Sequence, residues 1–203
     1  MMAPLRILSL DISTKTGWAL MLSSDEGAAL LDFGKLPKIS EPDDSPYPAN
    51  YVDWAYSVFK NIIELVDRLA PDILVIEETV AGSKSVFSQK ILEYIHFLTA
   101  RMIRDSKIKC RYFLTGEWRV LVAAKMTTEE KKRNKAIKLQ KASTGKKLAK
   151  DKNGKVMGKI GKKHVNVRRA NEIFGLDLIL AQEDIADATL LAYAYHVIRL
   201  GSV

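Results

Sequence analysis

Residues 5–11 have the sequence LRILSLD, and this stretch decides how the rest of the chain is interpreted. Apolar side chains fill most of it and an acid, Asp11, ends it, which is typical of a buried strand with a charge at its tip. Two further apolar runs follow across short turns, at 18–22 and 28–33. Three short strands joined by tight turns predict an antiparallel meander.

The remaining chain alternates helical and strand-like patterns. Apolar residues recur at helical spacing in several segments, which predicts helices at 51–69, 85–104, 117–124, 164–174 and 183–200. Short apolar runs predict two more strands, at 73–76 and 109–114. This order predicts an α/β fold, with a mixed five-stranded sheet and helices on its faces, in one domain over residues 1–203.

Composition restricts the class of protein. Hydrophobic residues make up 47% and charged residues 28%, as is ordinary for a globular protein. The sequence has no apolar run of the roughly 20 residues that cross a bilayer, and its N-terminal segment does not resemble a signal peptide. Cys110 is the one cysteine, so neither an internal disulfide nor a thiolate metal cluster is expected. These features predict a cytoplasmic, reducing compartment.

The net charge of +8 is concentrated in one segment. Residues 125–169 contain 17 Lys and Arg but three acids, which leaves 15 basic and 21 acidic residues elsewhere. One interpretation is a solvated lysine-rich loop. We favour a phosphate-binding arm over residues 125–163, because clustered cations displace counterions from nucleic acid. The Asn153-Gly154 pair predicts a hairpin within this arm, and disorder without a partner is the alternative.

Four acids stand at positions where ligand sites form. Asp11 and Glu77 end two apolar strands, and ligands of α/β sheets gather at such strand ends. Asp184 and Asp187 are three residues apart and therefore share one face of a helix. Buried carboxylates are costly unless they are paired or bind a cation. Four carboxylates without cysteine suit hard cations such as Mg²⁺ or Mn²⁺.

Each acid also has a purely structural interpretation. Asp11 could begin an Asx turn, and Glu77 or its neighbour Glu78 could be exposed after the strand. Asp184 and Asp187 could simply favour the start of a helix. The four acids taken together favour a metal site. Two ions roughly 3.5–4 Å apart can hydrolyse a phosphodiester, and the basic arm then indicates a nucleic-acid backbone as substrate.

The ordered motifs at 7–17, 74–78 and 184–188 resemble the RuvC-type Holliday-junction resolvases of the ribonuclease H-like superfamily. The shared pattern is a strand-end Asp, an apolar strand with a Glu, and a D-x-x-D-A helix start. Residues 115–119, followed by lysines, look most like the phage and viral branch of this family. The resemblance implies a ribonuclease H-like mixed five-stranded sheet flanked by helices, with the basic insertion before the C-terminal helices.

The resemblance also implies a function and its residues. Asp11, Glu77, Asp184 and Asp187 match the catalytic tetrad, which implies two Mg²⁺ ions per site, with Mn²⁺ able to substitute. It implies a homodimeric endodeoxyribonuclease that cuts four-way junctions in DNA recombination, repair or phage DNA processing. The compartment would be the bacterial cytoplasm, or the host cytoplasm for a phage-encoded protein. No membrane partner is expected, because no apolar run reaches the roughly 20 residues that cross a bilayer. No nucleotide cofactor is expected, because P-loop and Rossmann glycine patterns are absent from the sequence.

DNA contacts are predicted for one aromatic and several basic residues: Lys84, Trp118, Arg119, Lys125, Lys146, Lys147, Lys162, Lys163 and Arg168. Trp118 could instead pack in the core. His164 could position the attacking water, with a structural role as the alternative. Bacterial members carry an aromatic residue three positions after the catalytic Glu, where this chain has Val80; Phe87 could replace it or face the core.

Three other functions compete with junction resolution. A broader flap or fork nuclease would use the same fold and site. A catalytically silent DNA-binding module would use the basic arm alone. An actin-like sugar or acetate kinase would also begin with a strand, an acid and a turn, but it requires Gly-rich phosphate loops and roughly twice this length.

Overall fold

The computed structural model describes residues 3–39, 46–78, 86–144 and 158–201. Its strands are β1 (Leu5–Asp11), β2 (Gly17–Ser24), β3 (Gly27–Lys35), β4 (Ile73–Glu77) and β5 (Lys109–Phe113). Its helices are α1 (Ala49–Leu69), α2 (Val86–Ser106), α3 (Thr115–Leu121), α4 (Thr128–Thr144), α5 (Lys162–Phe174) and α6 (Glu183–Arg199), with a short 3-10 turn at Leu180–Gln182. Within these described ranges, no helix is both long and apolar enough to cross a lipid bilayer.

The strands form one mixed sheet in the order β3-β2-β1-β4-β5. β1, β2 and β3 pair antiparallel, and β4 and β5 join parallel to β1. The predicted meander and the predicted five-stranded α/β sheet are therefore confirmed. Because β1 and β4 are parallel neighbours, their C-terminal residues Asp11 and Glu77 lie at the same edge of the sheet.

Each face of the sheet carries its own hydrophobic layer. Ile7 of β1 and Val75 of β4 pack with α3, α5 and α6 on one face. Leu8 and Leu10 pack with α1 and α2 on the other face. Since successive side chains of a strand alternate between faces, Asp11 lies on the α6 side, with Ile7 and Ser9.

α6 packs against β1 and β2. Ala186 and Ala188, which predicted a slim helix, are fully buried against the sheet. The hydroxyl of Ser9 donates to the backbone oxygen of Ala188 at 2.6 Å. At Gly17, a side-chain carbon would lie 2.1 Å from the backbone oxygen of Asp184. The bare backbone of Gly17 is therefore what lets the first turn of α6 reach the strand ends.

The first half of the basic arm is helical, which differs from the prediction made for the arm. Residues 128–144 form the helix α4, where a hairpin or disorder was expected. The segment is rich in Lys and also contains Glu, Ala, Arg, Leu and Gln, all of which favour helices. A capping box begins it, because the Thr127 hydroxyl accepts from the Glu130 N–H at 3.2 Å and the Glu130 carboxylate from the Thr127 N–H at 2.8 Å. The Asn153-Gly154 pair lies outside the described residues.

The close approach of α6 to Gly17 gives a direct test of this packing. We expect Gly17→Ala to lower the free energy of unfolding by about 1–3 kcal/mol, the usual cost of overpacking a closed interface. Urea denaturation measures the change. Gly116→Ala is the matched control, since a side-chain carbon there meets nothing within 4 Å and the residue lies in α3, where Ala is the better helix former. An equal destabilisation of both variants would contradict the close approach as the cause.

Candidate active site

The four predicted carboxylates come together at one edge of the sheet. β1 and β4 supply Asp11 and Glu77 at their ends, and the first turns of α6 bring Asp184 and Asp187 above them. The negative charges of Glu77, Asp184 and Asp187 each act on Asp11 and raise the pKa of its carboxyl. The structure thus assembles the acids from three separate elements into one electrostatic cluster.

Burial makes the charged form of these carboxylates unfavourable. Burial is the main cause that raises the pKa of Asp11 well above its usual value, and the charges of the neighbouring acids are the next cause. Burial also raises the pKa of Asp187 to about 6, and the charge of Glu77 adds to the effect. A cation placed among these groups would offset both causes, because it favours the charged form of every carboxylate near it.

The choice between Glu77 and Glu78 follows from strand geometry. Glu77 shares its face of β4 with Val75, under α6, and its charge raises the pKa of both Asp11 and Asp187. Glu78 is the next residue and lines an open cavity on the α2 side, with His96 among its neighbours. The geometry therefore favours Glu77 as the member of the cluster.

Three residues that the sequence analysis missed hold the carboxylates. The Lys35 ammonium lies 2.7 Å from Asp184 Oδ2. The side-chain amide of Asn166 donates to Asp187 Oδ1 at 2.6 Å, and the hydroxyl of Thr115 donates to Glu77. Of these three residues, only Asn166 has a signal in the sequence: it lies between two apolar residues, Val165 and Val167. An amide buried in such a stretch needs a hydrogen-bond partner.

Two of the predicted DNA-binding residues lie beside the acids. Lys163, in the first turn of α5, lowers the pKa of both Asp11 and Asp187 and forms an ion pair with Glu183. Arg119 of α3 also lowers the pKa of Asp187. Their positive charges therefore border the acid cluster. Lys162 is exposed next to Lys163.

Other predicted contacts have different surroundings. Trp118 is fully buried in the core layer under α6, so the predicted stacking on DNA is corrected to core packing. Arg168 pairs with Glu130 at 3.1 Å and with Glu172 at 2.5 Å, and it donates to the backbone oxygen of Lys125 at 2.9 Å. Arg168 therefore links α5 to α4 rather than presenting a free guanidinium. The Lys125 side chain is exposed.

The remaining predictions fall into two groups. His164 accepts the backbone N–H of Gly161 at 3.2 Å and so caps the start of α5, which fits its structural interpretation. The side chain of Phe87 lies outside the described part of the structure. The same is true of four other predicted positions: Val80, Lys84, Lys146 and Lys147.

The donor chemistry of the cluster fits a hard divalent cation. All four side chains offer carboxylate oxygens, which Mg²⁺ and Mn²⁺ prefer. In addition, Asn166 Oδ1 is buried and has no hydrogen-bond partner among the described residues. No three acids, histidines or cysteines have side chains close enough together to hold an ion in this structure, within the described ranges 3–39, 46–78, 86–144 and 158–201. Asp184, Asp187 and Glu77 instead bond to Lys35, Asn166 and Thr115.

The mixed sheet with a strand-end acid cluster defines a ribonuclease H-like fold. Thermus thermophilus RuvC, solved in complex with a Holliday-junction substrate, superposes with a TM-score of 0.62 at 12% identity, over 97% of each chain. Another T. thermophilus RuvC structure gives a TM-score of 0.61 at 14% identity, over 97% of this chain and 96% of that one. The yeast mitochondrial Holliday-junction resolvase Ydc2 gives 0.52 at 13% identity, over 97% and 82%.

These likenesses show that the chain has the fold of the RuvC-type Holliday-junction resolvases, as its motifs predicted. In sequence, no model of a known protein family matches the chain, and no curated protein does. The similarity is therefore one of architecture, which the spacing of a few short motifs had indicated.

Proposed function

We propose that this chain is a structure-selective endodeoxyribonuclease that resolves four-way DNA junctions by two-metal-ion phosphodiester hydrolysis. The observation that carries the proposal is the convergence of Asp11, Glu77, Asp184 and Asp187 at one strand-end edge of a RuvC-type fold. Its biological context would be DNA recombination or repair, or the phage DNA processing that the resemblance of residues 115–119 to the phage and viral branch implies.

The four carboxylates would hold the cations, Mg²⁺ or Mn²⁺. When bound, such ions activate a water and stabilise the leaving oxygen of a phosphodiester. The protein's own groups have complementary tasks. Lys163 and Arg119, which border the acids, would attract the phosphate backbone and orient it by charge-assisted hydrogen bonds. Asn166 and Thr115 would keep Asp187 and Glu77 in fixed orientations.

Branched DNA as the substrate is supported by the fold and by charge. The T. thermophilus RuvC structure was solved with a Holliday junction, and its fold extends over nearly all of this chain. The helix α4 adds a cationic surface that a phosphate backbone would neutralise. Its exposed residues Lys131, Lys135 and Lys138 lie at i, i+4 and i+7, on one face. Like charges at this spacing destabilise a free helix, so a polyanionic partner is favoured.

α4 is also held in a defined place. It bonds to the body of the protein through Glu130, which pairs with Arg168. Asn134 exchanges two hydrogen bonds with the backbone of Ile160, both 2.9 Å long. An anchored helix presents its lysines at fixed positions, which reduces the entropy cost of binding DNA.

A homodimer is the natural assembly for two symmetric nicks across a junction. An apolar surface on α1 and α2 supports it, because Val52, Tyr56 and Phe97 are exposed to 44%, 50% and 64%. A cavity of about 500 Å³ lies between them, lined by Val52, Glu93, Tyr94, Phe97 and Leu98. Exposed apolar surface of this kind marks an interaction site, and this one leaves the acid cluster on the other face of the sheet free.

Two alternatives use the same fold. A flap or fork nuclease would share the acid cluster and differ only in which branched DNA it accepts. A catalytically silent DNA-binding module would keep α4 and have no use for four converging acids. The cost of burying those acids favours an active nuclease.

Cleavage of a labelled four-way junction in Mg²⁺ tests the activity. We expect Asp11→Asn and Glu77→Gln each to slow cleavage by at least about 10²-fold, since metal-ion stabilisation contributes several kcal/mol to the transition state. Binding of the junction should be nearly unchanged. Glu78→Gln is the matched control, because Glu78 faces the other side of the sheet, and it should cleave normally.

Three results of that assay would argue against the proposal. Full activity in Asp11→Asn or Glu77→Gln would reject the assigned acids. Absence of cleavage by the unaltered protein would favour the silent binding module. Equal cutting of forks, flaps and linear duplex would replace junction selectivity by the broader nuclease.

The salt dependence of junction binding tests α4. Replacing Lys131, Lys135 and Lys138 together by Gln should flatten the plot of log affinity against log salt concentration, by about 0.9 for each phosphate that is no longer neutralised. Fluorescence anisotropy at several salt concentrations gives the slope. Lys109→Gln, at the far end of β5, should leave the slope unchanged. The same slope in the triple variant would mean that α4 does not bind DNA.

Light scattering after size-exclusion chromatography tests the dimer. Phe97→Lys should convert a dimer into a monomer, because a charge would be buried in an apolar interface. Arg101→Lys, one turn further along α2, keeps its charge and should remain dimeric. A monomeric unaltered protein, or a dimer that survives Phe97→Lys, would count against this surface.

A further inference from the structure

A lysine that no sequence motif indicated stands at the edge of the acid cluster. Lys35 is the last residue of β3 and pairs with Gly17 of β2, which in turn pairs with Asp11 of β1. Paired residues of neighbouring strands place their side chains on the same face. Asp11, Gly17 and Lys35 therefore form one row across three strands, beneath the first turn of α6.

Gly17, the middle residue of this row, has no side chain, and the first turn of α6 occupies the space above it. The backbone of Asp184 lies directly over Gly17. From there the carboxylate of Asp184 bonds to Lys35 at 2.7 Å, while its charge still acts on Asp11 at the other end of the row. Asp184 is thus shared between the acid cluster and a built-in cation.

Two hydrogen bonds fix the ammonium of Lys35. Besides Asp184, it donates to the backbone oxygen of Ala181 at 2.9 Å, just before α6. The side chains of Lys35 and Asp184 are 30% and 21% exposed. Partial shielding from water strengthens their attraction relative to a pair on the open surface.

We propose that Lys35 is an internal counter-cation of the metal site, which occupies Asp184 and releases it when a divalent ion binds. This inference rests on the proposed function, in which the four acids hold divalent cations. A carboxylate oxygen that accepts a hydrogen bond from an ammonium group must give it up to coordinate an ion there. The ammonium and the ion also repel each other at such short range. Lys35 therefore lowers divalent affinity and makes the positioning of Asp184 dependent on the ion.

The test is calorimetric titration of the full chain with Ca²⁺ in the absence of DNA. Lys35→Met removes the charge and keeps the length of the side chain. We expect it to bind Ca²⁺ about threefold to tenfold more tightly, the range of a partly shielded ion pair. Lys35→Arg keeps the charge and should bind like the unaltered protein. Lys38→Met, an exposed lysine three residues further on, is the matched control and should not change the affinity.

A second background identifies Asp184 as the group through which Lys35 acts. In Asp184→Asn, the added change Lys35→Met should raise the remaining Ca²⁺ affinity by clearly less than it does in the unaltered protein, because the carboxylate that the ammonium occupies is already gone and only direct charge repulsion is left to remove. An equal gain in both backgrounds would overturn the proposal, since Lys35 would then act by general charge alone. Unchanged or weaker binding in Lys35→Met would overturn it as well.

The outcomes also separate this inference from the proposed function. If Ca²⁺ binds to the unaltered protein and binding is weakened by Asp11→Asn, the metal site stands whatever Lys35 does. If no variant binds a divalent ion, both proposals fail together. Thermal unfolding without divalent ions confirms that each variant is folded before the titrations are compared.

Discussion

The close approach between the backbone of Gly17 and the first turn of α6 is the constraint on which the rest of the site depends. A side chain at that position would push the helix outward, and Asp184 would move away from the strand ends. The small residues Ala186 and Ala188, with the Ser9 hydrogen bond, continue the close approach along the helix. Helix packing on a bare strand backbone therefore decides where two of the four acids lie.

Once the acids are assembled, their burial, and after it their mutual repulsion, makes them costly to ionise. Burial and neighbouring charges raise the pKa of Asp11, and burial raises that of Asp187 to about 6. The protein offsets part of this cost with an ammonium group, an amide and a hydroxyl, supplied by Lys35, Asn166 and Thr115. Groups kept in so unfavourable a state are typical of functional sites, where a ligand supplies the missing stabilisation. This pattern fits a site that accepts cations better than one built for structural ion pairs.

The charge of the molecule is divided between two surfaces. The acid cluster lies at the sheet edge under α6, whereas α4 carries exposed lysines and reaches the body through Glu130–Arg168 and Asn134–Ile160. A phosphate backbone drawn to the lysines is repelled by uncompensated carboxylates. Lys163 and Arg119 reduce this repulsion, because their positive charges weaken the negative potential at the cluster itself. In the proposed function, DNA attraction and cation binding would be served by different residues, which can be changed separately.

The sequence by itself determined the sheet and the helices that cover it, and it predicted the four acids that the structure brings to one edge of that sheet. These follow from local patterns: alternation along strands, helical spacing, and acids that end apolar runs. The prediction from sequence missed the helix α4, because the capping box of Thr127 and Glu130 that begins this helix was overlooked. Trp118 could equally have been a core or a surface residue from its sequence context, and only packing under α6 decided that it is buried. Lys35, Asn166 and Thr115 are far from the acids in sequence, and no local pattern joins them to Asp184, Asp187 and Glu77. Only the tertiary structure could decide those interactions, because they depend on how closely α6 approaches the sheet.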